Sequence, residues 1–243
     1  MTSLQTSPAI RLTISEFFAS ALAPHPGVAV FDCDGTLWGG DAGYGFMVWS
    51  IESGLVSRNA SDWIDSRYRL YRAGEVSEAE MCGEMVQVYS GLREDELRKA
   101  TAEYFHAEIE AHIFPEMREL VAQLREAGTD IWAVSSTNNW LIEEGVRDFG
   151  IPVERVLAAK VRVKGGLITS ELIDVPTDEG KAISLARAGV ASPDAVFGNS
   201  IHDAAMLATA RRAFPVNATP ALLQIAGDKG WPVYYPQSLL GSE

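Results

Sequence analysis

Short runs that are apolar at every position, each followed by a stretch of helical periodicity, constrain this chain more than any other feature. Val28-Ala29-Val30-Phe31 has no polar side. A strand made from it has to be covered on both faces, which is the situation of a strand inside a parallel sheet. The pattern returns at 131–134, 156–159 and 195–197, and in weaker form at 213–216. Helical periodicity fills the intervals at 116–127, 140–149, 179–188 and 204–211, and an earlier helix is expected at 12–22. Gly128, Gly150 and Gly189 stand where helix C-terminal caps fall. Strands alternating with helices imply right-handed βαβ units, so the fold expected is α/β, a doubly wound parallel, Rossmann-like sheet. The segment KVRVKGGLIT (160–169) places Gly165-Gly166 between two β-branched arms and predicts a hairpin appended to that sheet.

The alternation is interrupted between residues 39 and 112. Helical patterns there occupy 46–52, 61–72, 77–89 and 94–113, separated by turn signals at Gly54, Gly74 and Gly91. The domain organisation expected is an α/β core from 1–38 and 113–243, with 39–112 inserted as an α-helical cap over the carboxyl edge of the sheet. That edge is where open α/β sheets bind ligands.

Chemistry concentrates at the strand ends. Asp32 and Asp34, in Phe31-Asp32-Cys33-Asp34-Gly35-Thr36, put two carboxylates at the mouth of the sheet. Such a pair calls for a neutralising cation, and hard carboxylate oxygens suit magnesium. A cation would also keep Asp32 ionised and nucleophilic, leaving Asp34 to move protons. An Asx turn closed by Gly35 has the same local sequence. Ser135, in Val134-Ser135-Ser136-Thr137, offers a hydroxyl and loop N–H groups for phosphoryl oxygens, or else a cap for the next helix. Lys181 can neutralise phosphoryl charge, or can simply be a solvated lysine. Gly198-Asn199-Ser200-Ile201-His202-Asp203 offers Asn199 and Asp203 as oxygen ligands or supporting groups, or else an N-cap. Four such segments, each following an apolar strand in this order, point to one site.

On these residues the sequence resembles the haloacid dehalogenase superfamily, in its phosphoserine-phosphatase-like branch with a helical cap after the first strand. Asp32–Thr36 match the first motif, Ser135 the second, Lys181 the third and Gly198–Asp203 the fourth. Phe114-Pro115-Glu116, the 160–169 hairpin and the tail around Phe214–Asn217 and Gly230–Pro232 are also similar, so 28–233 is covered. The resemblance implies a magnesium-dependent phosphatase in which Asp32 attacks phosphorus to give an aspartyl-phosphate. Asp34 would protonate the leaving alcohol and later deprotonate water, with Ser135 and Lys181 completing the catalytic set. The metal ligands implied are the Asp32 carboxylate, the Asp34 backbone carbonyl, and Asn199 and Asp203. Thr36, Ser136 and Asp41 are the candidate substrate-binding residues.

Two departures qualify the resemblance. Asn199 stands where the family usually has Asp, which removes one negative charge from the metal site. Met85 falls near the position of the cap arginine that holds the carboxylate of phosphoserine, so that substrate is not expected. Asp41, nine positions after Asp32, does match an acid that faces a substrate ammonium group. With Trp38, Tyr44, Phe46 and Trp49 nearby it can bind a cationic amine, or it can cap a helix while the aromatics pack.

Composition narrows the rest. With 20 basic and 33 acidic residues the formal charge is −13, which disfavours nucleic acid or an anionic membrane as partner. Cys33 and Cys82 make neither a disulfide framework nor a metal spacing. The N-terminal stretch lacks a charged start and apolar run, and no apolar segment reaches the ~18–20 residues of a membrane span. The reading is a cytoplasmic enzyme, monomer or homodimer, that hydrolyses a small phosphorylated metabolite, amine-bearing and not phosphoserine. The alternatives are a phosphotransferase or mutase sharing the aspartyl-phosphate, or a weakly active ligand-binding protein.

Overall fold

The computed structural model describes residues 9–239. The core assignment of residues 1–8 and 240–243, and the start of the segment read for a signal peptide, therefore lie outside the described residues. Six strands form one sheet in the order β4-β3-β2-β1-β5-β6. They are β1 (Val28–Phe31), β2 (Asp130–Asn138), β3 (Val156–Lys164), β4 (Leu167–Asp174), β5 (Ala195–Gly198) and β6 (Arg212–Pro215). All neighbouring pairs are parallel except β3 with β4.

Register explains the fully apolar strands. Val30 lies beside Trp132 and Val196, while Ala29 and Phe31 lie beside Ile131, Ala133, Ala195 and Phe197. Because side chains alternate across a strand, the two sets face opposite sides. Val30, Trp132, Val134 and Val196 pack under α8 (Glu179–Arg187), α9 (Ala204–Thr209) and α10 (Pro220–Lys229), through Leu185, Met206, Leu207 and Leu222. Phe31, Ala133 and Phe197 pack under α1 (Ile14–Leu22), α6 (Pro115–Glu126) and α7 (Asn139–Gly145), through Phe17, Leu120, Leu124 and Leu141. The Phe31 and Phe197 rings stack at 4.3 Å. This is the doubly wound α/β sheet that the alternation implies. No helix among the described residues is long and apolar enough to cross a membrane.

Between β1 and α6 the chain builds α2 (Ala42–Glu52), α3 (Arg58–Arg72), α4 (Glu78–Gln87) and α5 (Glu94–Tyr104). Side chains of Asp41, Ser57 and Ser77 accept the first-turn N–H bonds of α2, α3 and α4, which is why the helices begin there. The insertion leaves and returns side by side: Gly39 N–H bonds His112 O at 3.0 Å, and Phe114 N–H bonds Leu37 O at 3.0 Å.

Several boundaries differ from expectation. The single helix expected at 94–113 ends at Tyr104 and continues as a π-turn (Phe105–Ile109) and a 3-10 turn (Glu110–His112). Leu97, Ala100, Thr101 and Tyr104 follow one buried stripe, but Phe105 and Ile109 are buried one position out of phase. A π-turn supplies the extra residue that realigns them. The helix expected at 140–149 stops at Gly145 and goes on as turns to Gly150. The strand expected at 156–159 and the first arm of the hairpin are one strand, β3, which pairs with β2 and then with β4. Both hairpin glycines have positive φ, 59° and 78°. Helix α10 was not expected at all.

Candidate active site

Every chemistry-bearing segment emerges at the carboxyl edge of the sheet or at the helix beside it. β1 ends at Phe31 and is followed by Asp32, whose N–H bonds Phe197 O on β5 at 2.9 Å. β2 carries Ser135, Ser136, Thr137 and Asn138 past the β1 register, which ends at Phe31 beside Ala133. The loop after β4 ends in the first turn of α8, bringing in Lys181, and β5 runs into Asn199–Asp203.

Lys181 joins these segments. Its Nζ donates to Asp32 Oδ1 at 2.7 Å and to Asp203 Oδ1 at 2.6 Å, and all three side chains are at most 6% exposed. Residues 149 and 22 positions away along the chain thus meet on one ammonium. Asp32 is pushed up to about 7, by burial first and the Asp203 charge second, against the pull of Lys181. Burial works against the Lys181 ammonium, but the charges of Asp203 and Asp32 outweigh it and hold its pKa above the ordinary lysine value.

Asp34 is held separately. Its Oδ1 accepts from the Trp38 indole N–H (2.7 Å) and the Ala42 N–H (2.9 Å), and its Oδ2 from the Thr137 hydroxyl (2.8 Å). Burial raises its pKa, opposed by those three donors. The contact with Thr137 requires Gly43 on α2, where a Cβ would lie 2.4 Å from the Thr137 hydroxyl oxygen. Gly35 is constrained twice, by φ of 77° and by Asn199, whose Nδ2 would lie 1.8 Å from a Cβ there.

Three expectations change at the level of contacts. Thr36 is fully buried and donates to Asp32 Oδ2 at 2.8 Å, so its hydroxyl orients the Asp32 carboxylate and has no open face toward a substrate. Asp203 is fully buried, with Oδ1 on Lys181 and Oδ2 accepting from the N–H groups of Asn199 and Ser200 and from the Ser200 hydroxyl. Its acceptor capacity is spent, so it fits a group that holds Lys181 better than a metal ligand. Asp34 Oδ1 already accepts two hydrogen bonds and Oδ2 one, so its backbone carbonyl is the better oxygen for a metal. Ser135 is buried and accepts the Thr137 N–H at 3.1 Å; it makes no hydrogen bond to Asp32. Ser136 and Asp41 meet at an adjoining cavity of about 210 Å³ between the inserted helices and the end of β2. Asp41 caps α2, accepting the Tyr44 N–H at 2.8 Å, and is also exposed to that cavity.

Two participants were not singled out from the sequence in these roles. In the sequence Trp38 reads as a cap aromatic and Thr137 as part of the Ser135 loop. Only the fold shows both donating to Asp34. His202, given no role, bonds Asp178 Oδ1 at 2.7 Å, and Asp178 sits at a positive φ of 49°.

The site suits a hard divalent cation by charge. Asp32, Asp34 and Asp203 bring three carboxylates against the single Lys181 ammonium, and Lys181 does not by itself offset the burial that raises the Asp32 pKa to about 7. It is not a carboxylate cage: among the described residues no three His, Cys, Asp or Glu side chains converge on a metal position. The oxygens that remain are a mixed set with room for water, as magnesium prefers. They are the Asp32 carboxylate, the Asp34 carbonyl and the Asn199 amide, whose side chain lies against Gly35.

Comparison with known proteins shows what the chain as a whole resembles. The chain is 25% identical over 217 residues to a histidinol-phosphatase of Neisseria meningitidis serogroup C, covering 85% of this chain and 97% of that one. It is 24% identical over 213 residues to a probable phosphatase of Mycobacterium tuberculosis, covering 84% and 74%. A Bordetella pertussis protein of unknown function has the same fold with TM-score 0.75 and 22% identity, over 85% and 97% of the two chains. A substrate-bound phosphoserine phosphatase shares the fold with TM-score 0.57 and 15% identity, over 88% and 96%. A family model described as haloacid dehalogenase-like hydrolase matches residues 29–208, and the chain belongs to that family.

Proposed function

We propose that this phosphatase hydrolyses a small phosphate monoester with magnesium, through an aspartyl-phosphate on Asp32. The observation that carries the proposal is the Lys181 ammonium fixed between Asp32 and Asp203 at 2.7 and 2.6 Å. It orients one carboxylate at the mouth of the sheet and keeps positive charge where a phosphoryl group would arrive. Residues 39–112 act as the cap, and 9–38 with 113–239 as the core.

In the first step an Asp32 oxygen forms a bond to phosphorus as the ester P–O bond breaks. Asp34, whose burial favours the protonated carboxyl, gives its proton to the departing alkoxide. In the second step Asp34 takes a proton from water as the water oxygen attacks the phosphoryl group, releasing phosphate and freeing Asp32. Thr36 fixes the free Asp32 oxygen, and Thr137, Trp38 and the Ala42 N–H aim Asp34. Ser135 and Ser136 border the phosphoryl position on β2. Magnesium would be held by Asp32, the Asp34 carbonyl and Asn199, and when bound it neutralises phosphoryl charge.

The substrate we infer carries a protonated amine, read by Asp41. The relative named histidinol-phosphatase makes histidinol phosphate the first ester to assay. The cavity holds Met85 where a carboxylate-binding arginine would suit phosphoserine, which disfavours that ester. The test is phosphate release from histidinol phosphate and from a generic aryl phosphate, with magnesium or with EDTA, in wild type and Asp32→Asn. Release that needs both magnesium and Asp32 supports the proposal. Equal release by the variant, or none from either ester with any divalent metal, refutes it.

A further inference from the structure

We propose that Glu78, on the first turn of α4, is a specificity-determining residue of the same site. It reads a second basic nitrogen on the alcohol half of the substrate, a flat imidazole-type ring being the group that fits. The inference rests on the phosphomonoesterase reading above and adds a residue and a ligand group to it.

The cavity lies where the leaving alcohol would be. Ser136, Thr137 and Asn138 contribute to its lining from the core, and Thr137 is the residue hydrogen-bonded to Asp34. At about 210 Å³ it falls below the ~300–1,000 Å³ typical of pockets for drug-sized ligands, so it suits a small alcohol.

A row of rings runs along the inserted helices beside it. Tyr44 and Tyr68 stack at 4.8 Å with 27° between planes, and Tyr68 meets Tyr71 at 5.8 Å. Each end of the row carries a carboxylate. Asp41 accepts the Tyr44 N–H, and Glu78 Oε2 accepts the Tyr71 hydroxyl at 2.5 Å. Asp41 is pushed up to about 6, chiefly by burial and the Asp34 charge, with Glu78 adding to the rise. Both acids line the cavity, so a ligand with one positive group at each end can meet both.

The intervening rings favour a flat cation through their π faces. Glu78 is already oriented, because Tyr71 holds one oxygen and the Cys82 thiol approaches the other at 3.4 Å. Its neighbour on the far side is His202, whose Nε2 lies 3.9 Å from Oε2. Arg72 is the one cationic side chain among the described lining residues, and it is exposed.

The test uses the magnesium-loaded full chain. kcat/KM is measured for histidinol phosphate, for phosphoethanolamine with its single amine, for phosphoserine and for propyl phosphate, in wild type and Glu78→Gln. The expected result is at least a tenfold preference for histidinol phosphate over phosphoethanolamine, reduced at least tenfold in Glu78→Gln. A wild-type preference within twofold overturns the proposal. So does a preference untouched by the substitution, or phosphoserine as the best substrate, which would assign recognition to Arg72. If wild type hydrolyses none of the esters, the phosphatase reading fails, and calorimetry with the free alcohols decides on Glu78. Histidinol binding at least tenfold tighter than 2-aminoethanol by wild type supports it, and equal binding overturns it.

Discussion

Replacing Lys181 by Met removes the ammonium while keeping most of the side-chain volume, and leaves Asp32 and Asp203 facing each other without a cation. Wild-type Lys181 is 3% exposed and its partners 6% and 0%, so water cannot replace it. Removing one partner of a buried ion pair costs about 3–5 kcal/mol, because the remaining charge stays uncompensated. Stability of a domain is roughly 5–15 kcal/mol, so the variant should still fold. For a chain of this length each kcal/mol moves Tm by roughly 2–4 °C, so a fall of about 6–20 °C is expected at pH 8 in EDTA. The sign with pH follows from the same charges. Without Lys181 two buried carboxylates face each other with no counter-charge, so the penalty is full at high pH and disappears as they take up protons. The deficit relative to wild type should therefore shrink on going from pH 8 to pH 5. Urea and thermal unfolding followed by circular dichroism measure both. A variant within about 1 kcal/mol of wild type at pH 8, or a deficit that grows at pH 5, would refute a buried three-membered ion cluster.

The metal-free wild type should also lose stability as pH rises from about 4 to about 7. Asp32 has its folded pKa raised to about 7 from the ordinary aspartate value of 3.8, so the folded state holds a proton that the unfolded state has released. Magnesium should restore Tm at pH 8 far more than at pH 5, and an equal effect at both would contradict the assignment of Asp32 as a ligand. Thr137→Val removes a donor that lowers the Asp34 pKa. kcat should fall roughly 10-fold or more, as expected when general acid–base geometry is lost, and the pH–rate limb belonging to Asp34 should move to higher pH; a limb that stays in place would show that Thr137 does not act on Asp34. Gly35→Ala forces a Cβ toward Asn199 at a φ of 77°. Magnesium affinity should weaken several-fold with little change in circular dichroism, and unchanged affinity in titration calorimetry would remove Asn199 from the ligand set.

The parts of the molecule that rest on local pattern were readable in advance. Val28–Phe31 and Ala195–Gly198 announce buried parallel strands because no position in them tolerates water. The residues that follow such strands must reach the sheet's carboxyl edge, which is why Asp32, Ser135 and Asp203 could be placed together. What a side chain does once there depends on tertiary contacts. Asp203 reads as a ligand in isolation, but its oxygens are taken by Lys181 and two N–H groups. Thr36 reads as a phosphate contact until its hydroxyl is seen on Asp32. Trp38 and Thr137 are an aromatic and a β-branched residue, types that ordinarily fill space, and only the approach of α2 over Gly43 turns Thr137 toward Asp34. Glu78 was hidden for a similar reason, since an acid in the first turn of a helix is accounted for by the helix dipole alone. The π-turn at Phe105–Ile109 corrects a phase slip between two buried stripes, which a window read at one period does not detect.

The central claim is that Asp32 carries the phosphoryl group, and borohydride trapping tests it directly. Acid-quenched enzyme turning over its ester is treated with sodium borohydride, which reduces an acyl phosphate to the alcohol, and the peptide containing residue 32 is examined by mass spectrometry. Homoserine is expected at position 32, present only when substrate and magnesium are both supplied and absent in Asp32→Asn. Steady turnover with aspartate intact at position 32, or with the reduced residue found elsewhere, would contradict it.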